Sequence, residues 1–226
     1  MRYRYGYVPA AALALAVAAT GCAGSPGSST GKGAGAQEVL RRAQPAGHAV
    51  AASGGLPTGP GPQVRYRVQK QPAPGSCHYR YTSAKEPLPD PACTPGAVSP
   101  AVTPATLAQT ICRASGYTKG IRPPVSVTGP EKRANAASYG YTGDLHDAEY
   151  DHLVSLELGG DPNDPRNLWV EPPSPGHRPG GGPNNPKDAV ESRLHTAICS
   201  GRVPLRDAQK AIATNWTTAL TTLKIK

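Results

Sequence analysis

An α+β fold is expected for this chain: a small disulfide-stapled domain with a strand–strand–helix core and a C-terminal helix, preceded by a disordered tether. Three observations predict it. Residues 145–158 and 167–170 read as strands joined by a loop of Gly, Asp, Pro and Asn, and a helical pattern opens at residue 186. Gly and Pro supply 26 residues each while hydrophobic residues make up only 38% and Phe is absent, so the folded part is shorter than the 226-residue chain. Beyond residue 22, Cys77, Cys93, Cys112 and Cys199 form an even set with no CxxC pair, which suits disulfides better than a zinc knuckle.

The first 21 residues read as an export signal. Arg2 and Arg4 form a basic start, and the apolar run over 8–20 is too short to span a bilayer. It ends in Ala19-Thr20-Gly21-Cys22, which resembles a bacterial lipobox. That implies lipidation of Cys22 and anchoring to the outer face of the cytoplasmic membrane; cleavage without a lipid, and hence secretion, is the alternative. Residues 22–74 follow as a tether rich in Ala, Gly, Ser and Pro, with one short strand suggested by alternation at Val64, Tyr66 and Val68. The folded domain is assigned to 75–226.

Export places the four remaining cysteines in an oxidising compartment. Four cysteines allow three connectivities, which sequence alone leaves open. The pairing expected on chain layout is Cys77–Cys93, closing a Pro-rich loop, and Cys112–Cys199, tying an early helix to the end of a late one. The formal charge of +9 falls to about +7 once Arg2 and Arg4 leave with the signal. A basic exported chain has polyanions as natural partners, among them nucleic acid, wall polymers and anionic lipid, and a solubilising surface is the plainer alternative.

Each helix has its own signals. Thr103-Pro104 has start chemistry ahead of Leu107 and Ile111, and Gly116 stops that segment. A second helix is expected after Pro130, running to Gly140. Asn185 suits an N-cap, Pro186 the first helical position and Asp188 the positive helix end; Val190, Leu194, Ala197 and Ile198 then share a face that ends at Gly201. The last helix shows an apolar stripe from Leu205 through Ala208, Ile212 and Trp216 to Ala219 and Leu223. Trp216 reads as a packing anchor.

The chemistry concentrates in "EYDHLVSLELGGDPNDPRNLWVEP", residues 149–172. Asp151-His152, then Gly159-Gly160, then Asn167-Leu168 resembles the HNH branch of the His-Me finger (ββα-metal) nucleases. The longer run from "DPACTPGAV" through "GYTKGIRPP" to "KDAVESRLHTAICSG" and "AQKAIATNW" is similar to small exported bacterial proteins of HNH-like type, and the likeness covers roughly residues 90–220. Ser155 stands where Pro is common, the loop from Gly-Gly to Asn is one residue longer than usual, and the connector over 172–183 is long and rich in Gly and Pro.

The resemblance implies a metal-dependent endonuclease of low sequence specificity acting on DNA or RNA. His152 is then the general base, because a neutral imidazole can take a proton from water. Asn167 is implied to tie the loop that positions it. Asp151 and Asn185 are the expected metal ligands, with Glu149, Asn184 and Lys187 as further candidates. An oxygen-rich set of this kind favours Mg²⁺ or Mn²⁺. A nucleic-acid substrate, a membrane contact through the lipid alone and a monomeric state complete the expectation.

Lys187, Glu191 and His195 fall on one helix stripe that reads as a solvated, salt-bridged face, although Lys187 has the reach to meet a phosphate. His146 and His177 lie in polar loops with no specific role assigned. No P-loop or HExxH pattern occurs. The main rival function is a catalytically silent envelope lipoprotein that binds polyanions by charge; a purely structural surface lipoprotein is the weaker one.

Overall fold

The computed structural model describes residues 55–226; the export segment, Cys22 and most of the expected tether lie outside the described residues. Within them the fold is mixed α+β, with two antiparallel two-stranded sheets and two disulfides. Strand β1 (Arg80–Tyr81) pairs with β2 (Pro87–Leu88). Two helices follow, α1 (Tyr117–Ile121) and α2 (Val125–Ser138). Strands β3 (Glu149–His152) and β4 (Leu168–Glu171) form the second sheet. Helices α3 (Lys187–Cys199), α4 (Leu205–Asn215) and α5 (Ala219–Thr222) complete the chain.

Several elements differ from the sequence reading, each for a local reason. The segment after Thr103 folds as turns around a 3₁₀ turn at Leu107–Gln109 rather than as an α-helix. The hydroxyls of Thr103 and Thr106 bond locally there, offering the backbone an alternative to the helical ladder. Helix α2 starts five residues before Pro130, directly after Pro124. The proline forgoes only its own bond toward Ser126, which is exposed, so water reaches that carbonyl. The expected long first strand of the hairpin ends at His152, and Leu156–Leu158 turns as a 3₁₀ segment.

Residues 55–74, assigned from sequence to the tether, instead lie against the domain. Gly61 N donates to Asp161 Oδ2 at 2.6 Å, and Gln69 N donates to Glu131 Oε1 at 2.6 Å. The Tyr66 hydroxyl reaches Ile121 O. No strand forms at Val64 and Val68, whose side chains are exposed. Backbone donors satisfied by acids 62 to 100 residues away hold this segment, and composition alone carries no sign of such partners.

The main core joins the hairpin loop to the C-terminal helices. Val154 and Leu158 pack with Leu194 and Ile198 of α3 and with Ala208, Ile212 and Trp216 beyond. Burial of this stripe is what orients α3 and α4, since hydrophobic area removed from water is the main favourable contribution to folding. A second cluster packs Tyr139 and Trp169, their rings tilted against each other, around the Cys77–Cys93 bridge. The Cys112–Cys199 bridge closes a span of 87 residues and ties the end of α3 to the turn segment. The start of α3 is thereby set beside β3.

Candidate functional site

The site grows from the pairing of β3 with β4. Glu149 lies opposite Glu171, Tyr150 opposite Val170, Asp151 opposite Trp169 and His152 opposite Leu168. Alternation along a strand puts Glu149, Asp151, Trp169 and Glu171 on one face. Trp169 Nε1 donates to Asp151 Oδ2 at 2.9 Å across that face. Two like-charged acids stand directly opposite each other at 149 and 171, a pairing that costs stability unless something bridges them.

The Gly159-Gly160 pair is required by geometry. Gly159 adopts φ +77°, a left-handed conformation that side chains disfavour, and a Cβ on Gly160 would fall 1.7 Å from the carbonyl oxygen of Val154. The chain can therefore fold back on itself and bring 161–167 under the end of β3. Asn167, fully buried, fastens the turn. Its Oδ1 accepts from Val154 N at 3.0 Å and Ala97 N at 3.3 Å, and its Nδ2 donates to Val154 O and Asp161 O at 3.0 Å each. The loop itself is a pair of Asx turns: Asp161 Oδ1 accepts from the amides of Asn163 and Asp164, and Asp164 Oδ1 from that of Arg166.

This wiring fixes the carbonyl of Pro162, 3.0 Å from His152 Nε2. A carbonyl only accepts, so Nε2 carries the proton and Nδ1 keeps its lone pair. Nδ1 has no hydrogen-bond partner among the described residues. Burial pushes the imidazole down to about 4, with the charges of Arg122 and Lys187 acting in the same direction. At neutral pH the ring is thus an uncharged base of fixed tautomer.

The other side of the site is the entrance of α3, and it is built from charges. Lys187 is fully buried, and its ammonium donates to Asp151 Oδ2 at 2.8 Å, to His152 O at 3.0 Å and to Glu191 Oε1. The stripe read from sequence as a solvated face is therefore interior at Lys187 and Glu191. Asn185 Oδ1 accepts from Lys187 N at 3.0 Å, which makes it a helix cap, and its Nδ2 bridges Glu149 and Glu171 at 3.0 and 3.2 Å. Asn184 is exposed.

The carboxylates respond to this crowding. Burial, followed by the charge of Asp151, raises Glu171 well above the usual carboxylate range and also raises Glu149. Burial raises Glu191 to about 8 despite Lys187. Lys187 itself is held charged: Asp151, Glu191 and Glu171 together outweigh the cost of burying it. One ammonium serves more acids than it can neutralise, so protons make up part of the balance.

Asp151 Oδ2 is taken by an ammonium and an indole N–H, and Asn185 Oδ1 is taken by the helix backbone. The pair does not fit an open two-ligand ion site. Elsewhere, Cys112 Sγ, a ring nitrogen of His195 and Cys199 Sγ lie within 4.8 Å of one another, a Cys-His-Cys group that could hold a metal ion. Its two sulfurs are joined in the disulfide, and only thiolates ligate, so the group serves a metal in its reduced form alone.

A polar cleft of about 250 Å³ opens beside the site, lined by Thr118, Arg122, Ser155, Leu156, Glu157, Asp188, Glu191 and Ser192. The Ser155 hydroxyl is buried there without a hydrogen-bond partner. His146 and His177 have a role that the sequence did not show. Both sit beside Asp147, at 3.4 and 3.2 Å, and Asp147 anchors the connector by accepting from Gly180 N and Gly182 N.

Arg122, Ser155, Trp169, Glu171 and Glu191 were absent from the sequence-based site. For Glu171 and Trp169 a signal existed: hairpin register puts them on the face of Asp151. For Arg122 and Ser155 no local pattern gave one. In comparisons with known proteins, no protein family, no curated protein and no solved structure matches this chain.

Proposed function

We propose that this protein hydrolyses phosphodiester bonds of DNA or RNA with His152 as general base and without strong sequence preference. The observation that supports this reading is the bond from His152 Nε2 to Pro162 O, which leaves Nδ1 as an unprotonated nitrogen on a ring that stays neutral at physiological pH. Asn167 acts as the positioning residue, through the loop that carries Pro162. Arg122 supplies a cation in the adjacent cleft, suited to a phosphate oxygen. Asp151 and Asn185, the residues expected to hold the Mg²⁺ or Mn²⁺ implied by the likeness to HNH nucleases, are engaged by Lys187, Trp169 and the start of α3 instead.

The charge of about +7 left after Arg2 and Arg4 depart with the signal suits a polyanionic substrate. Export, with Cys22 lipidated and the domain outside the cytoplasmic membrane, is part of the same proposal. A second reading is a silent envelope module that binds polyanions. It draws on one observation: Lys187 fills the Asp151 site from within. Digestion of DNA and RNA by the purified mature chain, against His152→Ala, separates the two. Loss of a general base is typically worth about 10² to 10⁴ in rate. Retained polyanion binding with no cleavage by the wild type, under any divalent ion, favours the silent module.

A further inference from the structure

We propose that the ammonium of Lys187 is the resident cation of the Asp151 site: it stands where a hard divalent ion would bind and closes the site to Mg²⁺ and Mn²⁺. Lys187 Nζ has three protons and three acceptors, two carboxylate oxygens and one backbone carbonyl. That set, carboxylate plus carbonyl oxygen, is the one Mg²⁺, Mn²⁺ and Ca²⁺ select. The ammonium is shut in by the fold, with no exposed surface, and it is tethered to the first residue of α3.

The surroundings point the same way. Glu149 and Glu171 oppose each other across the hairpin, with Asp151 on the same face and Glu191 one helical turn beyond Lys187. Without the ammonium, these acids would make a dense, partly buried group of oxygens with a single amide, from Asn185, between two of them. Repulsion in such a group is relieved by a proton or by a cation. In the folded chain the cation is covalently part of the protein.

Two consequences follow. The wild-type chain takes up no divalent ion at Asp151. Shortening Lys187 to a neutral side chain turns the same acids into a divalent-ion site. Nothing in this depends on the proposed hydrolase activity, so the test is read without an activity assay.

The mature chain is titrated with Mn²⁺ while the indole N–H resonance of Trp169, whose Nε1 bonds Asp151, is followed by NMR. Trp216→Phe assigns the two indole signals. The wild-type Trp169 signal is expected to keep its width at stoichiometric Mn²⁺. Lys187→Met and the milder Lys187→Gln are expected to lose that signal saturably, and to show a Tm that rises with Mn²⁺ where the wild-type Tm does not. If either variant is unfolded without metal, folding driven by Mn²⁺ is the same result. Saturable broadening of Trp169 in the wild type overturns the proposal. So does failure of both Lys187 variants to gain Mn²⁺ binding, folded or unfolded.

Discussion

The two sides of the site hold their functional groups by different physics. On the hairpin side, His152 is placed chiefly by a neutral amide: Asn167 fills all four of its hydrogen-bond positions, while the carboxylates of Asp161 and Asp164 cap the backbone turns of the same loop. On the helix side, Asp151 is placed by charge, through a buried ammonium shared with Glu191 and acids bridged by Asn185. The bonds of Asn167 do not titrate, but they fail at once if that side chain is lost. Charge wiring tolerates protonation, because a proton can stand in for a missing cation. The contrast explains why the base has a fixed tautomer while the acids beside it are shifted toward protonation.

The largest expected effect breaks the hairpin side. Asn167→Ala removes four buried hydrogen bonds and leaves Val154 and Asp161 backbone groups unpaired. At about 1 kcal/mol each, and more where a group stays unsatisfied, the loss is about 4 kcal/mol. Urea unfolding measures it. A loss below about 1 kcal/mol would mean that the loop is held by something other than Asn167.

The next effect is a pH dependence that belongs to His152. Its folded pKa of about 4 lies below the ordinary 6.5, so between those values the unfolded chain binds the proton more readily. Stability therefore falls as pH drops from about 6.5 toward 4, and the histidine has no such effect above that window. At about 1.4 kcal/mol per pKa unit, the full loss is roughly 3 kcal/mol. The unfolding free energies of wild type and His152→Gln at pH 7.5 and pH 4.5 isolate it. The wild type should lose clearly more than the variant, and parallel losses would show that the ring is accessible to protons.

The smallest effect sharpens the helix side. Asn185→Ala removes a cap from α3 and is expected to lower stability by about 1 kcal/mol. Because Asn185 also bridges Glu149 and Glu171, the loss should grow on raising the pH, as those acids give up their protons. A loss that is the same at pH 5 and pH 8 would leave capping as its only role.

Sequence and structure agree where the signal is local. Alternation and turn residues mark the hairpin, and the apolar spacing of Leu194, Ile198, Ala208 and Ile212 marks α3 and α4. Asp151, His152 and Asn167 stand out as a spaced motif, and the structure brings them together at the end of β3. The helix side is hidden for a physical reason: Lys187 and Glu191 at i, i+4 look the same in sequence whether the stripe faces water or the interior. Asp151 and the His152 carbonyl of the hairpin, together with Glu191, hold that lysine inside. The key acceptor for His152 is a backbone carbonyl, which no side-chain motif can announce.

The tautomer of His152 is the most direct test, because the proposed chemistry depends on which nitrogen holds the proton. Long-range ¹H–¹⁵N correlation spectra of the imidazole ring, recorded from pH 8 down to pH 5, report both ring nitrogens. The expected result is a protonated Nε2 and an unprotonated Nδ1 throughout, with no titration above about pH 5. A ring protonated on Nδ1, or charged at neutral pH, would contradict the assignment of His152 as a base poised by Pro162.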